Sequence, residues 1–321
     1  MRVNVEDMRR RAEYVGFRLV CCILGSLSVR QTLRWSQRLA WLITRVLPRK
    51  LTRYEIAREN ILRAFPDLDS TRVDAMIFDM WVHLFRLVAE IVQFPRKLTL
   101  TNCREVIVFR NRKAAIEALL RGRPVFMLGG HFGNWEASMA TFGLFGFPMG
   151  VVARALDNPY LQDWFADARQ QTGHQLLLKR GGWDGMVDLL EAGGNMGLLG
   201  DQDAGKRGVF VDFFGHPAST FKSIALMALE YNALIVVGYG RRLPDNFDEG
   251  RWVQFEIGCE EVIDPQQLTS DDEIREITER YTKALERVIQ RAPEQYFWVH
   301  RRWKTQPRAK RKPAAAKARA A

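Results

Sequence analysis

Short apolar runs alternate with helical patterns along most of this chain, and this alternation limits the folds that the chain can adopt. The clearest run, residues 125–128, leads through two glycines into a helical pattern at residues 135–142, with Asn134 as its candidate N-cap. Similar units recur as far as Ile257, and a last helical pattern reaches about Arg291. Such an alternation predicts an α/β fold in which helices flank a mainly parallel central sheet.

The other predicted elements extend this layered fold along the chain from residue 53. The predicted helices are 53–64, 71–92, 112–120, 158–171, 183–192 and 221–231, and the predicted strands are 106–109, 149–153, 175–178, 196–199, 234–239 and 251–257. Pro95 is expected to close the second of these helices. Ser270 and Glu273 are expected to form a capping box at the start of the last helix.

An N-terminal segment, residues 14–47, is apolar but repeatedly interrupted by arginines. Its longest uncharged run, residues 19–29, is shorter than the roughly 20 residues that a membrane-spanning helix needs. Three interpretations are open: a tilted single span, amphipathic helices in the membrane interface, and a helical layer packed on a soluble core. Arginines recur beside Trp35 and Trp41, which favours interfacial helices that face anionic headgroups.

Composition divides the chain into three regions. Residues 1–50 form the hydrophobic and basic N-terminal helices, residues 51–304 form the α/β domain, and the basic, Ala- and Pro-rich residues 305–321 are expected to be a disordered tail. Lys and Arg number 48 against 37 Asp and Glu, which gives a net charge of +11. Such a charge favours anionic partners, namely nucleic acid, phosphorylated lipid or an acidic carrier protein, and does not choose among them.

Several classes of protein lose support because their motifs are missing. The chain has no Gly-x-Ser-x-Gly elbow, Walker loop, Gly-x-Gly-x-x-Gly fingerprint after a strand or His-Glu-x-x-His pair. These absences argue against serine hydrolases, NTPases, dinucleotide enzymes and zinc proteases. The four cysteines form no Cys-x-x-Cys pair, so neither a structural zinc nor a disulfide framework is expected.

His131 is the first candidate functional residue. It follows Gly129 and Gly130 at the carboxyl end of a predicted strand, and Glu136 lies five residues later. A turn between the two can bring the carboxylate back to the imidazole. The pair would then lie in a cleft at a strand end, where open α/β sheets usually bind ligands. The alternative is a structural histidine that is merely hydrogen-bonded beside the start of a helix.

Two later stretches also place polar residues at predicted strand ends. Arg154 ends an apolar run, where its guanidinium fork suits phosphate or carboxylate, although a surface ion pair is the alternative. A glycine-rich loop beginning at Gly200 suits an anion or an oxyanion. Its candidate binding residues are Asp201, Asp203, Lys206 and Arg207. Two carboxylates can also suggest Mg²⁺, but no phosphate-binding loop accompanies them, and no metal is predicted.

Residues 292–304 alternate aromatic and basic side chains and read Ala-Pro-Glu-Gln-Tyr-Phe-Trp-Val-His-Arg-Arg-Trp-Lys. By itself this stretch suits either a nucleic-acid-binding patch or a strand that packs Phe297 inward while Arg301 and Arg302 face solvent.

These stretches together resemble a known family. The segments His131-Phe-Gly-Asn-Trp-Glu136, Asp201-Gln-Asp203 and 292–304 are similar to motifs of the bacterial lipid A biosynthesis acyltransferases. This is the late (lauroyl/myristoyl) family of the lysophospholipid acyltransferase-like superfamily. The resemblance covers the whole chain except its tail and implies that residues 51–304 are the acyltransferase domain.

The resemblance implies transfer of a fatty acyl chain from an acyl thioester, expected to be acyl-acyl carrier protein, to a hydroxyl of a lipid A precursor or related glycolipid. The implied partners are acyl carrier protein, an anionic glycolipid and the membrane surface, without nucleic acid, metal or cofactor. The implied location is the cytoplasmic face of the inner membrane. The alternatives are another lipid acceptor, hydrolysis of the thioester, and a non-enzymatic basic protein that binds membranes or nucleic acid.

The resemblance also implies roles for individual residues. His131 is expected to take the proton of the acceptor hydroxyl, and Glu136 to orient the imidazole and stabilise the imidazolium, without a covalent intermediate. Backbone N–H groups at residues 129–133 are expected to stabilise the oxyanion. Arg154, Lys206 and Arg207 are the implied contacts for acceptor phosphates or the carrier's phosphopantetheine. Asp201 and Asp203 are also implied substrate-binding residues, and two roles are open for Asp201, namely orienting Arg154 or orienting the acceptor sugar.

Overall fold

A computed structural model describes residues 5–153, 155–178, 182–248 and 252–307. Its strands are β1 (Ile107–Arg110), β2 (Val125–Gly129), β3 (Met149–Ala153), β4 (Gln175–Leu178), β5 (Asn195–Leu199), β6 (Val209–Phe213), β7 (His216–Thr220), β8 (Leu234–Arg242) and β9 (Phe255–Ile263). Its α-helices are α1 (Val5–Ser26), α2 (Val29–Trp41), α3 (Tyr54–Ala64), α4 (Ser70–Lys97), α5 (Cys103–Val106), α6 (Arg112–Leu119), α7 (Trp135–Leu144), α8 (Pro159–Gln170), α9 (Trp183–Glu191), α10 (Lys222–Glu230) and α11 (Glu273–Gln290).

The predicted α/β fold with a mainly parallel sheet is confirmed. Seven strands form one sheet in the order β1-β9-β8-β2-β5-β3-β4. The five strands from β8 to β4 run parallel, whereas β9 is antiparallel to β8 and β1 is parallel to β9. The strand β2, which ends just before His131, therefore lies in the middle of the sheet.

The core lies on both faces of β2, as expected for a strand inside a parallel sheet. Phe126 and Leu128 are fully buried in a cluster with residues of α9, α10 and α11. Val125 and Met127 are buried on the opposite face against α6. This uninterrupted apolar run made the strand recognisable in the sequence.

The sheet opens between β3 and β5. Their ladder stops at the pair Val151–Gly197, before either strand ends. Beyond that pair, β5 stays bonded to β2 as far as Leu199, and β3 stays bonded to β4. The two strands therefore separate at the edge of the sheet where strands of the parallel set end, which leaves room for a cavity there.

A hairpin of β6 and β7 occupies the part of the glycine-rich loop where no strand was predicted. It turns through Phe214 and Gly215, both with positive φ (53° and 76°), and Phe213 pairs directly with His216. Two-residue hairpin turns of this kind usually carry Asn-Gly, so Phe-Gly hid the signal. Phe214 accepts the left-handed conformation because its ring is buried against Trp298, with ring centroids 6.1 Å apart.

Two predicted helix ends are wrong. Pro95 does not close α4, which continues to Lys97, because Phe94 is buried against the rings of Trp252 and Phe255 and keeps the last turn in place. The N-cap of α11 is Asp272, whose carboxylate accepts from the backbone N–H of Arg275 at 3.1 Å. An aspartate caps a helix as well as a serine does, so the sequence offered two equivalent starts.

The N-terminal helices pack against helices of the domain. The helix α1 contacts α4 and α8, with the ring of Phe17 4.9 Å from that of Trp164, and α2 lies along α4. Large apolar side chains stay exposed on both helices, among them Leu19, Ile23, Trp35 and Trp41. Across the ranges that the structure describes, every helix is too short or too polar to cross a membrane.

Candidate functional site

His131 and Asp201 meet because the strands before them are neighbours. The parallel strands β2 and β5 pair Gly129 with Leu199, so the residues that follow both strands lie at the same edge of the sheet. Gly130 permits the close approach, since a Cβ at that position would lie 3.2 Å from the carboxylate of Asp201.

The hydrogen bonds of His131 define its tautomer. Nδ1 lies 2.8 Å from Oδ1 of Asp201, and the backbone N–H of His131 donates to Oδ2 at 2.8 Å. Because an ionised carboxylate only accepts, the hydrogen lies on Nδ1 and Nε2 keeps its lone pair. Nε2 lies 3.3 Å from Nε2 of Gln202, and both residues line a cavity. This is the tautomer that a general base at Nε2 requires.

The contact between His131 and Asp201 shifts the pKa values of both side chains. Burial by itself would lower the pKa of His131, but the charge of Asp201 and its hydrogen bond outweigh burial and raise that pKa above its usual value. Burial would raise the pKa of Asp201, yet the charge and hydrogen bonds of His131, with the charge of Arg302, lower it. Asp201 is 4% exposed, so a buried carboxylate is held ionised next to the imidazole.

Glu136 is not the partner of the imidazole, and this part of the prediction is wrong. Its Oε1 instead accepts from Nη2 of Arg169 at 3.0 Å. The reason is geometric: Glu136 lies in the first turn of α7 and reaches towards α8, whereas Asp201 follows the strand adjacent to the one that precedes His131. Glu136 and Arg169 both line the same cavity as His131.

The turn after His131 is built of tight backbone contacts. Gly133 has a φ of +58°, and a Cβ there would lie 2.2 Å from the carbonyl oxygen of Gly240, so only glycine fits. Its N–H donates to the carbonyl of Gln295, and the N–H of Asn134 donates to the carbonyl of Gly240. The backbone at residues 131–134 is thus fixed between β8 and the 292–304 stretch.

A buried charged network supports the same turn from α4. Nε2 of His83 donates to the carbonyl of Gly133 at 3.1 Å, and Nη1 of Arg242 donates to Nδ1 of His83 at 2.8 Å. Arg242 also donates twice to Glu90, at 2.5 and 2.8 Å, and the amide of Asn134 donates to Glu90 at 2.9 Å. Burial, together with the charge of Arg242, lowers the pKa of His83 well below its usual value, so His83 stays neutral.

The sequence analysis did not predict this network. The available signal was Glu90, which falls among buried apolar positions of α4 such as Leu87 and Phe94. A carboxylate in that position needs a partner, which suggests a buried network but does not reveal the distant Arg242.

The cavity beside His131 has a volume of about 690 Å³ and lies where β3 and β5 separate. Polar groups are few among its lining residues and include His131, Glu136, Arg169 and Gln202. Six of the chain's ten methionines line it, namely Met127, Met139, Met149, Met186, Met196 and Met227. A flexible apolar lining with a few grouped polar side chains suits a long hydrocarbon chain that carries one reactive polar end.

The other predicted binding residues are placed differently. Asp203 accepts from the N–H and hydroxyl of Thr305 and from the N–H of Gly205, so it braces its own loop. Lys206 and Arg207 are exposed in a short turn and are not among the cavity's lining residues. Arg154 lies outside the described residues, as does the predicted tail from residue 308 onward.

Two site residues were missed or misplaced by sequence reasoning. Gln202 faces the cavity, although only its acidic neighbours were selected. Arg302 faced solvent in one of the two interpretations of residues 292–304, but it is 2% exposed, and its guanidinium donates to the carbonyl of Ser219 and the hydroxyl of Thr220, both at 2.6 Å. Arg302 therefore places a buried positive charge near Asp201. Within the described ranges, no group of three or more His, Cys, Asp or Glu side chains could hold a metal ion.

The family model described as bacterial lipid A biosynthesis acyltransferase matches residues 9–305. The chain belongs to the bacterial lipid A biosynthesis acyltransferase family. The family assignment made from the three sequence motifs is therefore confirmed.

Curated relatives agree with this assignment. The chain is 31% identical over 188 residues to the lipid A biosynthesis lauroyltransferase of Escherichia coli (strain K12), covering 58% of each protein. It is 26% identical over 260 residues to the lipid A biosynthesis palmitoleoyltransferase of the same organism, covering 79% of this chain and 80% of the relative. A lipid A biosynthesis acyltransferase of Shigella flexneri gives the same identity and coverage.

Proposed function

We propose that this chain is an O-acyltransferase that moves a fatty acyl chain from an acyl thioester to a hydroxyl group of a lipid A precursor or related glycolipid. The observation that carries the proposal is the His131–Asp201 pair, which holds an unprotonated Nε2 beside a largely apolar cavity. Family membership supports the reaction class, and the names of the relatives support lipid A biosynthesis as its setting.

In the proposed reaction, the acceptor hydroxyl donates to Nε2 of His131 and its oxygen attacks the thioester carbonyl carbon. Nε2 takes the proton as the C–O bond forms, and Asp201 stabilises the resulting imidazolium. The tetrahedral intermediate then expels the thiolate, which takes the proton from the imidazolium. The products are an ester and a free thiol, and no acyl-enzyme forms.

Glu136 keeps a proposed place in the site, with a changed role. Its ion pair fixes the guanidinium of Arg169 in the cavity wall, at 3.0 Å. A guanidinium held in this way suits a phosphate group of the acceptor. Lys206 and Arg207, exposed just after Asp201, are proposed to meet the headgroup or an acidic acyl carrier protein.

The direct test is to incubate the purified protein with acyl-acyl carrier protein and a lipid A precursor, and to weigh the acceptor by mass spectrometry. One added acyl chain is the expected result. Release of free fatty acid as fast as acylated lipid would instead support hydrolysis. No transfer to any glycolipid tested, with both substrates proven good, would contradict the proposal.

The cavity is proposed to hold the acyl chain, which leads to a prediction at Gly197. A Cβ added there would lie 3.5 Å from Sδ of Met149 and 3.7 Å from Val151, so alanine fits without displacing its neighbours. The new methyl group takes space where β3 and β5 separate. Gly197→Ala is expected to lower kcat/KM for the longest accepted acyl donor by about tenfold or more, with shorter donors little affected.

The matched control for this experiment is Gly185→Ala. A Cβ at Gly185 would also make an ordinary contact, 3.5 Å from Leu177, but Gly185 is not among the residues lining the cavity. A series of acyl donors of increasing length should therefore separate the two variants. Identical chain-length profiles for Gly197→Ala, Gly185→Ala and the unchanged protein would show that the acyl chain lies elsewhere.

We also propose that α1 and α2 attach the protein to the cytoplasmic face of the inner membrane. Leu19 and Ile23 are 60% and 61% exposed on α1, and Trp35 and Trp41 are more than half exposed on α2. Arginines lie beside them, as at Arg38, whose guanidinium is 5.2 Å from the centre of the Trp35 ring. Exposed apolar side chains next to cations suit anionic headgroups.

This proposal predicts that the double variant Leu19→Ser, Ile23→Ser binds anionic vesicles more weakly than the unchanged protein. Each lost side chain removes exposed apolar area that would enter the interface, so about tenfold weaker binding is expected in a flotation assay. Leu226→Ser, at a 43% exposed position on α10, is the control and should bind normally. High salt should also release part of the bound protein. Complete recovery in the supernatant at low salt without detergent would refute attachment.

A further inference from the structure

The carboxamide of Gln202 lies next to the nitrogen that is proposed to act as the base. Its Nε2 is 3.3 Å from Nε2 of His131, and both side chains line the cavity. Gln202 follows Asp201 directly in the chain. The bonds that hold Asp201 against His131 therefore also hold the backbone of Gln202 close to the imidazole. None of the predicted roles used this side chain.

The tautomer of His131 determines which of the two nitrogens donates the hydrogen bond. Nδ1 carries the hydrogen that Asp201 accepts, so Nε2 can only accept. The NH₂ group of Gln202 is therefore the donor, and an amide NH₂ has a second hydrogen left for another acceptor. In the resting protein, Gln202 occupies the position that the acceptor hydroxyl must take.

The backbone groups predicted to stabilise the oxyanion are partly committed elsewhere. The N–H of His131 donates to Asp201, and the N–H of Gly133 donates to the carbonyl of Gln295. Neither can turn towards a reacting carbonyl without breaking a bond that holds the turn together. Among the residues that the structure describes, the side-chain amide of Gln202 makes no such bond, and it already lies 3.3 Å from the reacting nitrogen.

We propose that Gln202 is a catalytic residue with two successive partners, an inference that rests on the acyl transfer proposed above. When the acceptor hydroxyl displaces the amide from Nε2, the amide donates instead to the thioester carbonyl oxygen. As the acceptor oxygen gives its proton to Nε2 of His131 and bonds to the carbonyl carbon, the π electrons of the carbonyl move to the carbonyl oxygen. Gln202 stabilises the negative charge that forms on this carbonyl oxygen. Collapse reforms the carbonyl and expels the thiolate, which takes the proton from His131.

The same arrangement favours transfer over hydrolysis. While the amide occupies Nε2, a water molecule in the cavity does not find the base free, whereas an acceptor that binds elsewhere in the site supplies the energy to displace the amide. Loss of the amide should therefore slow transfer and raise the share of thioester that is hydrolysed. A purely structural glutamine would change neither the ratio of products nor the rate per folded molecule.

Gln202→Ala tests the inference with the full chain, an acyl thioester donor and a lipid A precursor. Loss of one oxyanion donor is expected to lower kcat by about 10²–10³-fold with little change in KM. The ratio of free fatty acid to acylated lipid should rise. Gln267→Ala is the matched control, because Gln267 is exposed and is not among the residues lining the cavity, and it should behave as the unchanged protein.

Gln202→Glu and Gln202→His make the test independent of folding. The carboxylate introduced by Gln202→Glu keeps the shape, removes both donors and raises the pKa of His131, so the acid limb of the pH–rate profile should move to higher pH. An imidazole donor in Gln202→His should restore part of the rate. If the unchanged protein transfers normally and Gln202→Ala keeps its kcat within about threefold, the Gln202 assignment alone is overturned. If the unchanged protein transfers nothing, the proposed function fails and this inference fails with it.

Discussion

Replacing His131 with alanine is expected to lower the rate of acyl transfer by about 10²–10⁴-fold or more, the range in which general bases contribute. The reason is that Nε2 of His131 carries a lone pair beside the cavity and can take the proton of an acceptor hydroxyl. Single-turnover transfer with a fixed donor and acceptor measures the effect without interference from product release.

The fold should survive this change. His131 lies in a turn, and the backbone around it is held by bonds that do not involve its ring, such as that from Phe297 N–H to the carbonyl of His131. We expect the melting temperature to fall by no more than about 2–4 °C, which corresponds to about 1 kcal/mol. A variant that keeps more than about a tenth of the unchanged rate would show that His131 is not the base.

Asp201→Asn is expected to have an effect of comparable size, up to about 10⁴-fold in kcat, the loss seen when the matching aspartate of serine proteases is changed to asparagine. The change removes the charge that stabilises the imidazolium and that fixes the hydrogen on Nδ1. Loss of the Asp201 charge should also lower the pKa of His131 and so move the acid limb of the pH–rate profile to lower pH. In the unchanged protein that limb lies above the usual histidine value of about 6.5, because Asp201 raises the pKa of His131. Protonation of the base at low pH removes activity, so a lowered pKa extends activity to lower pH.

Two carboxylate variants serve as controls for this shift. Glu136→Gln removes the negative charge that pairs with Arg169 but leaves Asp201 beside the imidazole. The acid limb should therefore stay where it is. Asp203→Asn changes a carboxylate of the same loop that contacts Thr305 and Gly205 rather than the imidazole. An acid limb that moves in Glu136→Gln and not in Asp201→Asn would assign the imidazole's partner to Glu136 after all.

The strand–turn–helix unit around His131 was predictable because its signals are local. An apolar run, two glycines and an Asn134 cap lie within a few residues, and the helix begins where that cap places it. The confirmed fold class follows from the same kind of signal repeated along the chain. The expectation of acyl transfer came from a different signal, namely the resemblance of three separate segments to motifs of one acyltransferase family.

The partner of His131 could not be derived from spacing alone. Asp201 lies 70 positions away in sequence and reaches the imidazole only because β5 pairs with β2. Glu136 was nearer in sequence, but its direction depends on Arg169 of α8, a tertiary contact. The Phe214–Gly215 turn was missed for a different reason, because burial of an aromatic ring overrode the usual turn composition.

The transfer rate of the double variant His131→Ala, Asp201→Asn tests the central claim most directly, because residues that act as one unit do not contribute additively. If Asp201 acts through His131, its loss matters little once the imidazole has gone, and the double variant should transfer acyl chains about as fast as His131→Ala alone. A double variant slower by the product of the two single effects would contradict the account, since the two side chains would then be contributing to the reaction independently.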